Sequence, residues 1–141
     1  MNILLAIDGS SYTKKMLAYL AAHDEMLGTE HHSYSAITVQ PQIPSRARAM
    51  LSKEDLDKYY AEETEKVLAP AVKFLGKKGV KVKTIAKVGS AGETIAKVAE
   101  QGKYDLIVMG TQGHGALGKL VMGSVSTQVL AKCSVPVLLV R

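Results

Sequence analysis

Short aliphatic runs alternate along this chain with stretches of helical period, and few folds accept that order. Ile3 to Ile7 is a continuous aliphatic run, the pattern of a strand buried on both faces. Asp8-Gly9-Ser10 ends it and can open a helix, in which Met16, Leu17, Leu20 and Ala21 recur at helical spacing before Gly28. Ser35 to Val39 reads as a second strand, and Pro41 to Leu51 as a loop carrying Arg46 and Arg48. Ser52-Lys53-Glu54-Asp55 resembles a capping box. Leu56, Tyr60, Val67, Ala71 and Leu75 then keep a helical period, with Pro70 expected to kink or restart the helix and Gly76 and Gly79 closing it. Val80 to Ala86 reads as a third strand, Ala91 to Gln101 as a helix ended by Gly102, and Leu106 to Met109 as a fourth strand. A helix near Ser124 to Lys132 and a last strand, Val135 to Val140, complete the order βαβαβαβαβ. Such alternation predicts an α/β fold, a parallel sheet with helices on both faces. Ligands of such sheets bind beyond the carboxyl ends of the strands, where strand order reverses. That directs attention to Asp8, to Val39 with the loop after it, and to the loop after Met109.

The length of 141 residues fits one domain, residues 1–141, and with one Phe and no Trp its core must be aliphatic. The formal charge of +5 favours anionic partners in general. Its densest run, Lys77, Lys78, Lys81, Lys83 and Lys87, flanks a strand and reads as a solvated edge that resists aggregation, not as a nucleic-acid face. Cys133 is the only cysteine, which excludes an intrachain disulfide, and no paired Cys/His spacing points to zinc. The N-terminus lacks the basic region of a signal peptide, and no apolar stretch is long enough to span a membrane. The expectation is a cytoplasmic protein without membrane or nucleic-acid partners.

The segment after the fourth strand is where chemistry concentrates. Between Gly110 and Gly123, five of fourteen positions are glycine. Glycine allows close backbone approach to a ligand, and backbone N–H groups ahead of a helix N-terminus form an anion site. Ser124, Ser126 and Thr127 add hydroxyls at the start of that helix. Three patterns overlap in this loop. Gly113-x-Gly115-x-x-Gly118 fits a dinucleotide fingerprint, but it follows the fourth strand instead of the first, and no acid occurs after Asp105. The stretch Gly113 to Lys119 fits a phosphate loop until Leu120 replaces the hydroxyl residue that binds magnesium. The third pattern, Gly110-x2-Gly113-x9-Gly123-Ser124, sets two glycines at the strand exit and a Gly-Ser at the next helix start.

This third pattern resembles the nucleotide-binding signature of the universal stress protein family, in its ATP-binding branch. The resemblance extends along the chain: Ile3 to Ser10 is similar to the family's opening strand and acid, Gly89 to Glu100 with Asp105 to Gly110 to its third helix and fourth strand, and Cys133 to Val140 to its ending. It implies a doubly wound, Rossmann-like sheet of the adenine nucleotide alpha hydrolase-like kind, five parallel strands in order 3-2-1-4-5. It also implies ATP as ligand. Asp8 would accept hydrogen bonds from ribose hydroxyls, Val39 and Met109 would wall the adenine, and Gly110 and Gly113 would let the loop pass close to ribose and phosphate. His114, Gly115, Gly123, Ser124 and Val125 would donate to the phosphates, with Ser126 a possible addition, and Mg2+ would ride on the phosphates. Thr111-Gln112 and His114-Gly115 depart from the family's commonest wording but leave the glycine frame intact. The last strand would be an edge, and the resemblance implies a homodimer joined antiparallel through Val137 to Val140, with Pro136 at its start.

Plainer readings stand beside these. Asp8 can serve as a helix cap, His31-His32 as surface residues, Cys133 as a small hydrophobe or helix-end residue, and Arg46 and Arg48 as solvated loop residues or as arms toward phosphate. No nucleophile–base–acid set is visible, so the site suits holding a nucleotide better than turning it over. The alternatives are an interaction module of the same fold and dimer that binds no nucleotide and acts through an unidentified protein partner, and a slow ATPase or phosphotransferase.

Overall fold

Alternation of side-chain direction along the first strand sends its apolar residues to both faces of the sheet, and each face is covered by its own helices. The computed structural model describes residues 1–28, 30–113 and 122–141. Strand β1, Asn2–Ala6, lies at the centre of an all-parallel sheet ordered β3-β2-β1-β4-β5. It pairs with β2 (Ser33–Gln40) in the register Ile3↔Tyr34 and with β4 (Leu106–Gly110) in the register Ile3↔Leu106. The outer strands are β3 (Val82–Val88), beside β2, and β5 (Val137–Val140), beside β4. Ile3, Leu5 and Ile7 project to one face, where they meet Met16, Leu17 and Leu20 of α1 (Ser11–Ala22) and Leu68, Ala71 and Leu75 of α4 (Lys53–Lys77). Leu4 and Ala6 project to the other, against Ile95 and Ala99 of α5 (Ala91–Gln101) and Val129 of α6 (Ser124–Lys132). The sheet is therefore doubly wound, as the alternation of elements predicts.

Several boundaries differ from the expected ones. The last residue pair of β4 and β5 brings Gly110 opposite Val140, so β4 runs one residue further than its apolar run. Val80 and Lys81 precede β3, which instead continues to Val88 because Gln40 at the end of β2 still offers it a partner. Two short helices, α2 (Asp24–Leu27) and α3 (Ser45–Arg48), have no counterpart in the sequence reading, and α3 interrupts the expected loop from Pro41 to Leu51. Pro70 does not restart α4, which is one helix from Lys53 to Lys77. Pro70 and Lys66, whose carbonyl the missing N–H would have met, are both on the exposed face, where water can serve that carbonyl. The start of α4 is as expected, with Ser52 Oγ accepting from Asp55 N at 3.0 Å.

Helices α5 and α6 pack closely enough that Gly92 has no room for a side chain. A Cβ there would lie 2.5 Å from Gln128 Cβ as well as against its amide. Alanine would favour the helix by about 1 kcal/mol, but the overlap forces the helices apart at a typical cost of roughly 1–3 kcal/mol. Gly92→Ala is thus expected to lower stability despite its better helix propensity, as a fall in the urea midpoint with an unchanged slope.

Candidate functional site

Strand order reverses between β1 and β4, since the chain leaves β1 toward β2 on one side and later returns to pair on the other. A cavity of about 310 Å³ opens at the carboxyl ends of these strands, within the roughly 300–1,000 Å³ range of small-molecule pockets. Ile7, Val39, Ile95, Met109 and Val125 form its apolar walls, and Asp8, Thr13, Gly110, Gln112, Gly113, Gly123 and Ser124 its polar end. The residues singled out in the sequence, Asp8, Val39, Met109, Gly110, Gly113, Gly123, Ser124, Val125 and Ser126, thus line one cavity. His114 and Gly115 lie outside the described residues. Neither Arg46 nor Arg48 lines the cavity.

The walls acquire a polar edge from strand geometry. In a parallel pair, the N–H and C=O of one residue face the same neighbour, and alternate residues face opposite neighbours. Ile7 N donates to Ile37 O at 3.0 Å, so Ile37 faces β1. Gln40 O accepts from Gly89 N at 2.9 Å, so Gln40 faces the β3 side. Val39 therefore turns its N–H and C=O toward the β1 side. There the chain has already turned away at Asp8 and Gly9, whose φ of 79° only glycine adopts readily. Val39 lines the cavity and, among the described residues, its main-chain groups form no hydrogen bond on that side. They amount to one donor and one acceptor, side by side, at an apolar slot.

Asp8 is not the cap of α1. That place belongs to Ser10, whose Oγ accepts from Thr13 N at 3.5 Å. Asp8 Oδ1 instead accepts from Ser10 N and from Thr13 Oγ1, both at 2.9 Å, while Asp8 N donates to Thr13 Oγ1 at 3.1 Å. Its Oδ2 lies beside Gly113, in the space a Cβ of that residue would need. Gly110 is glycine for a different reason: a Cβ there would sit 2.6 Å from Tyr12 Cβ of α1. Gly123 has φ −83° and ψ 170°, ordinary extended backbone, and a Cβ on it would make ordinary contact with Gln112 Cα at 3.4 Å.

The start of α6 is built to meet an anion. Gly123 is its N-cap and has no side chain to cap with, and the first turn contains no acid. The first N–H groups of an α-helix lack intrahelical partners and carry the positive end of the helix dipole. Ser126 is only 2% exposed, and its hydroxyl is turned inward, donating to Thr111 O at 2.9 Å or Gly123 O at 3.1 Å. Thr111 O also accepts from Gly123 N at 2.7 Å, so this hydroxyl ties the beginning of the glycine loop to its end. As a donor to phosphate, Ser126 has its N–H to offer, not its side chain. Thr127 Oγ1 similarly donates to Gly123 O at 2.9 Å.

Thr13, Ala91, Ile95 and Gln112 belong to the cavity but escape the sequence reading. Only Thr13 leaves a recognisable trace, a hydroxyl in the first helical turn after the strand-end acid. Elsewhere, His32 Nδ1 lies 3.1 Å from the Met1 amine and His31 O accepts from that amine at 2.9 Å. Among the described residues, no group of three or more His, Cys, Asp or Glu is placed to hold a metal. Cys133 is the C-cap of α6, and burial pushes its thiol up, away from a reactive thiolate. No helix among the described residues is long and apolar enough to cross a membrane.

An all-parallel sheet ordered 3-2-1-4-5, with a cleft at its switch point and a glycine loop leading into a helix, defines a Rossmann-like, doubly wound α/β protein. The chain belongs to the universal stress protein family, whose family model matches residues 1–141. A Thermus aquaticus relative, the universal stress protein in the QAH/OAS sulfhydrylase 3′ region, is 37% identical over 143 residues, covering 99% of this chain and 98% of its own. Among solved structures, hypothetical protein MJ0577 superposes with a TM-score of 0.82 at 29% identity, covering 99% of this chain and 94% of that one. An Arabidopsis thaliana universal stress protein family protein, solved with AMP bound, has a TM-score of 0.70 at 17% identity over 99% and 90% of the two chains, a likeness of fold.

Proposed function

We propose that this universal stress protein binds ATP at the carboxyl end of its sheet and acts as a homodimer paired through β5. The observation that carries the reading is that one cavity gathers three recognition elements in the order a nucleotide needs them. The Val39 N–H and C=O match the N1 acceptor and N6 amino donor on the edge of adenine, between the side chains of Val39 and Met109. Asp8 offers a carboxylate at the height of a ribose, and Gly110 and Gly113 keep the chain low beside it. Beyond them the uncapped start of α6 offers the N–H groups of Ser124, Val125 and Ser126 to phosphates, whereas the Gly123 N–H, expected from the sequence to be a donor, is taken by Thr111 O at 2.7 Å. His114 and Gly115 complete the donor set by their place in the sequence. The described part of the cavity holds one carboxylate, Asp8, so Mg2+ is carried by phosphate oxygens and water and offsets their charge. The Arabidopsis protein of the same fold was solved with AMP bound, which supports an adenine nucleotide as the class of ligand.

Calorimetric titration of ATP–Mg2+ tests the reading. Micromolar binding is expected, about −8 kcal/mol at a dissociation constant of 1 μM, with GTP weaker because its N1–H and O6 reverse the donor and acceptor that Val39 meets. Affinity no better than millimolar for ATP would refute it.

A further inference from the structure

The Asp8 carboxylate does not stand alone at the strand end; it is gripped by the first turn of α1. Thr13 sits five residues on and is only 7% exposed, and its hydroxyl bonds Asp8 twice. Oγ1 donates to Oδ1 at 2.9 Å and accepts from Asp8 N at 3.1 Å. Ser10 N adds a second donor to the same Oδ1 at 2.9 Å. The reciprocal pair fixes both the backbone and the side chain of Asp8. With it, the carboxylate stands with Oδ2 beside Gly113 on the cavity side. Without the Thr13 hydroxyl the carboxylate is no longer tied to its own backbone N–H, and its Cβ–Cγ torsion, whose preference is broad, is less confined.

We propose that Thr13 is a positioning residue for sugar recognition: it orients Asp8 so that the carboxylate meets the ribose hydroxyls of the bound nucleotide. The inference rests on the nucleotide reading above and adds the residue that makes the site discriminate ribose from sugars without those hydroxyls. Thr13 itself acts on the sugar only through Asp8. An Asp8 able to turn would accept from water instead, and the site would keep its grip on base and phosphates while losing its preference for ribose.

The test is the ratio of dissociation constants for ATP–Mg2+ and 2′,3′-dideoxyATP–Mg2+, measured by calorimetry on the wild type and on Thr13→Val, Thr13→Ala and Thr13→Ser. A hydrogen bond to a carboxylate is worth roughly ten- to a hundred-fold in affinity, so the wild type should prefer ATP by about that factor. In Thr13→Val and Thr13→Ala the ratio should fall to within about three-fold of unity, chiefly through weaker ATP binding, and Thr13→Ser, which keeps the hydroxyl, should restore it. A loss of stability alone lowers the fraction able to bind either ligand equally and leaves the ratio unchanged. Wild-type preference for ATP that persists in both Thr13→Val and Thr13→Ala overturns the inference alone. Equal wild-type affinity for the two ligands also overturns it, with the nucleotide reading intact. Wild-type protein that binds neither overturns both.

Discussion

Gly113→Asp should abolish ATP binding while leaving the sheet intact. Two effects combine at this position. A Cβ on Gly113 would enter the space of Asp8 Oδ2, so any side chain there displaces the carboxylate proposed to meet the ribose. An added carboxylate also faces the phosphates. Two like charges about 4 Å apart cost on the order of 4 kcal/mol at an effective dielectric constant of 20, which is about a thousand-fold in affinity. The backbone supplies little further strain, since Gly113 is not among the positive-φ glycines of the described residues, Gly9, Gly79 and Gly89. Gly113→Ala separates the two effects: it keeps the steric push on Asp8 without the charge and should weaken ATP binding by roughly ten-fold, the scale of one charge-assisted hydrogen bond. Calorimetry on both variants, with a thermal melt to establish folding, checks the order wild type, Gly113→Ala, Gly113→Asp. Micromolar binding by folded Gly113→Asp would mean that phosphates do not pass this loop.

The central strands are legible in the sequence because burial on both faces writes itself as an unbroken aliphatic run. Ile3 to Ile7 in β1 and its continuation, and Ile107 with Val108 in β4, are all fully or nearly fully buried. The edge strand β3 is less legible, since exposed Lys83, Thr84 and Lys87 break up its apolar pattern and its ends depend on β2, a partner distant in sequence. Pro70 misleads because propensity counts a lost hydrogen bond at full cost, whereas an exposed carbonyl is served by water. The glycine frame marks the cavity, yet it does not say what each glycine is for. Gly110 is required by Tyr12 on the neighbouring helix, Gly113 by Asp8, and Gly123 by neither. Such distinctions depend on which elements come together in space. The same is true of Ser126, whose hydroxyl reads as a ligand donor by position and is instead engaged by Thr111 across the loop. Thr13 and Ile95 are hidden for a related reason, since each looks like an ordinary helical residue until the helix is laid against the strand ends.

The two sheet edges differ in a way that bears on assembly. β3 carries Lys83 and Lys87, and charges on an edge discourage pairing with another chain, whereas β5 reads Val137-Leu138-Leu139-Val140 with no charge. Ile107 N donates to Pro136 O at 2.9 Å and Thr111 N to Val140 O at 3.0 Å, so the even-numbered residues of β5 face β4. Val137 and Leu139 consequently turn their N–H and C=O groups outward, the groups an antiparallel partner would need. Leu139→Pro removes one outward N–H per chain without touching the ladder to β4, and proline is tolerated on an edge. In the proposed dimer two donors disappear and two rings crowd the seam, which should weaken association by roughly a hundred-fold, about 3 kcal/mol at the net value of two hydrogen bonds. Sedimentation velocity over a concentration series should then show a folded monomer at concentrations where the wild type sediments as the proposed dimer. Leu138→Pro is the contrasting variant: its N–H faces β4, so it should destabilise the protomer itself, seen as a lower urea midpoint. A folded Leu139→Pro protein that remains dimeric at the same concentrations would place the interface elsewhere on the molecule.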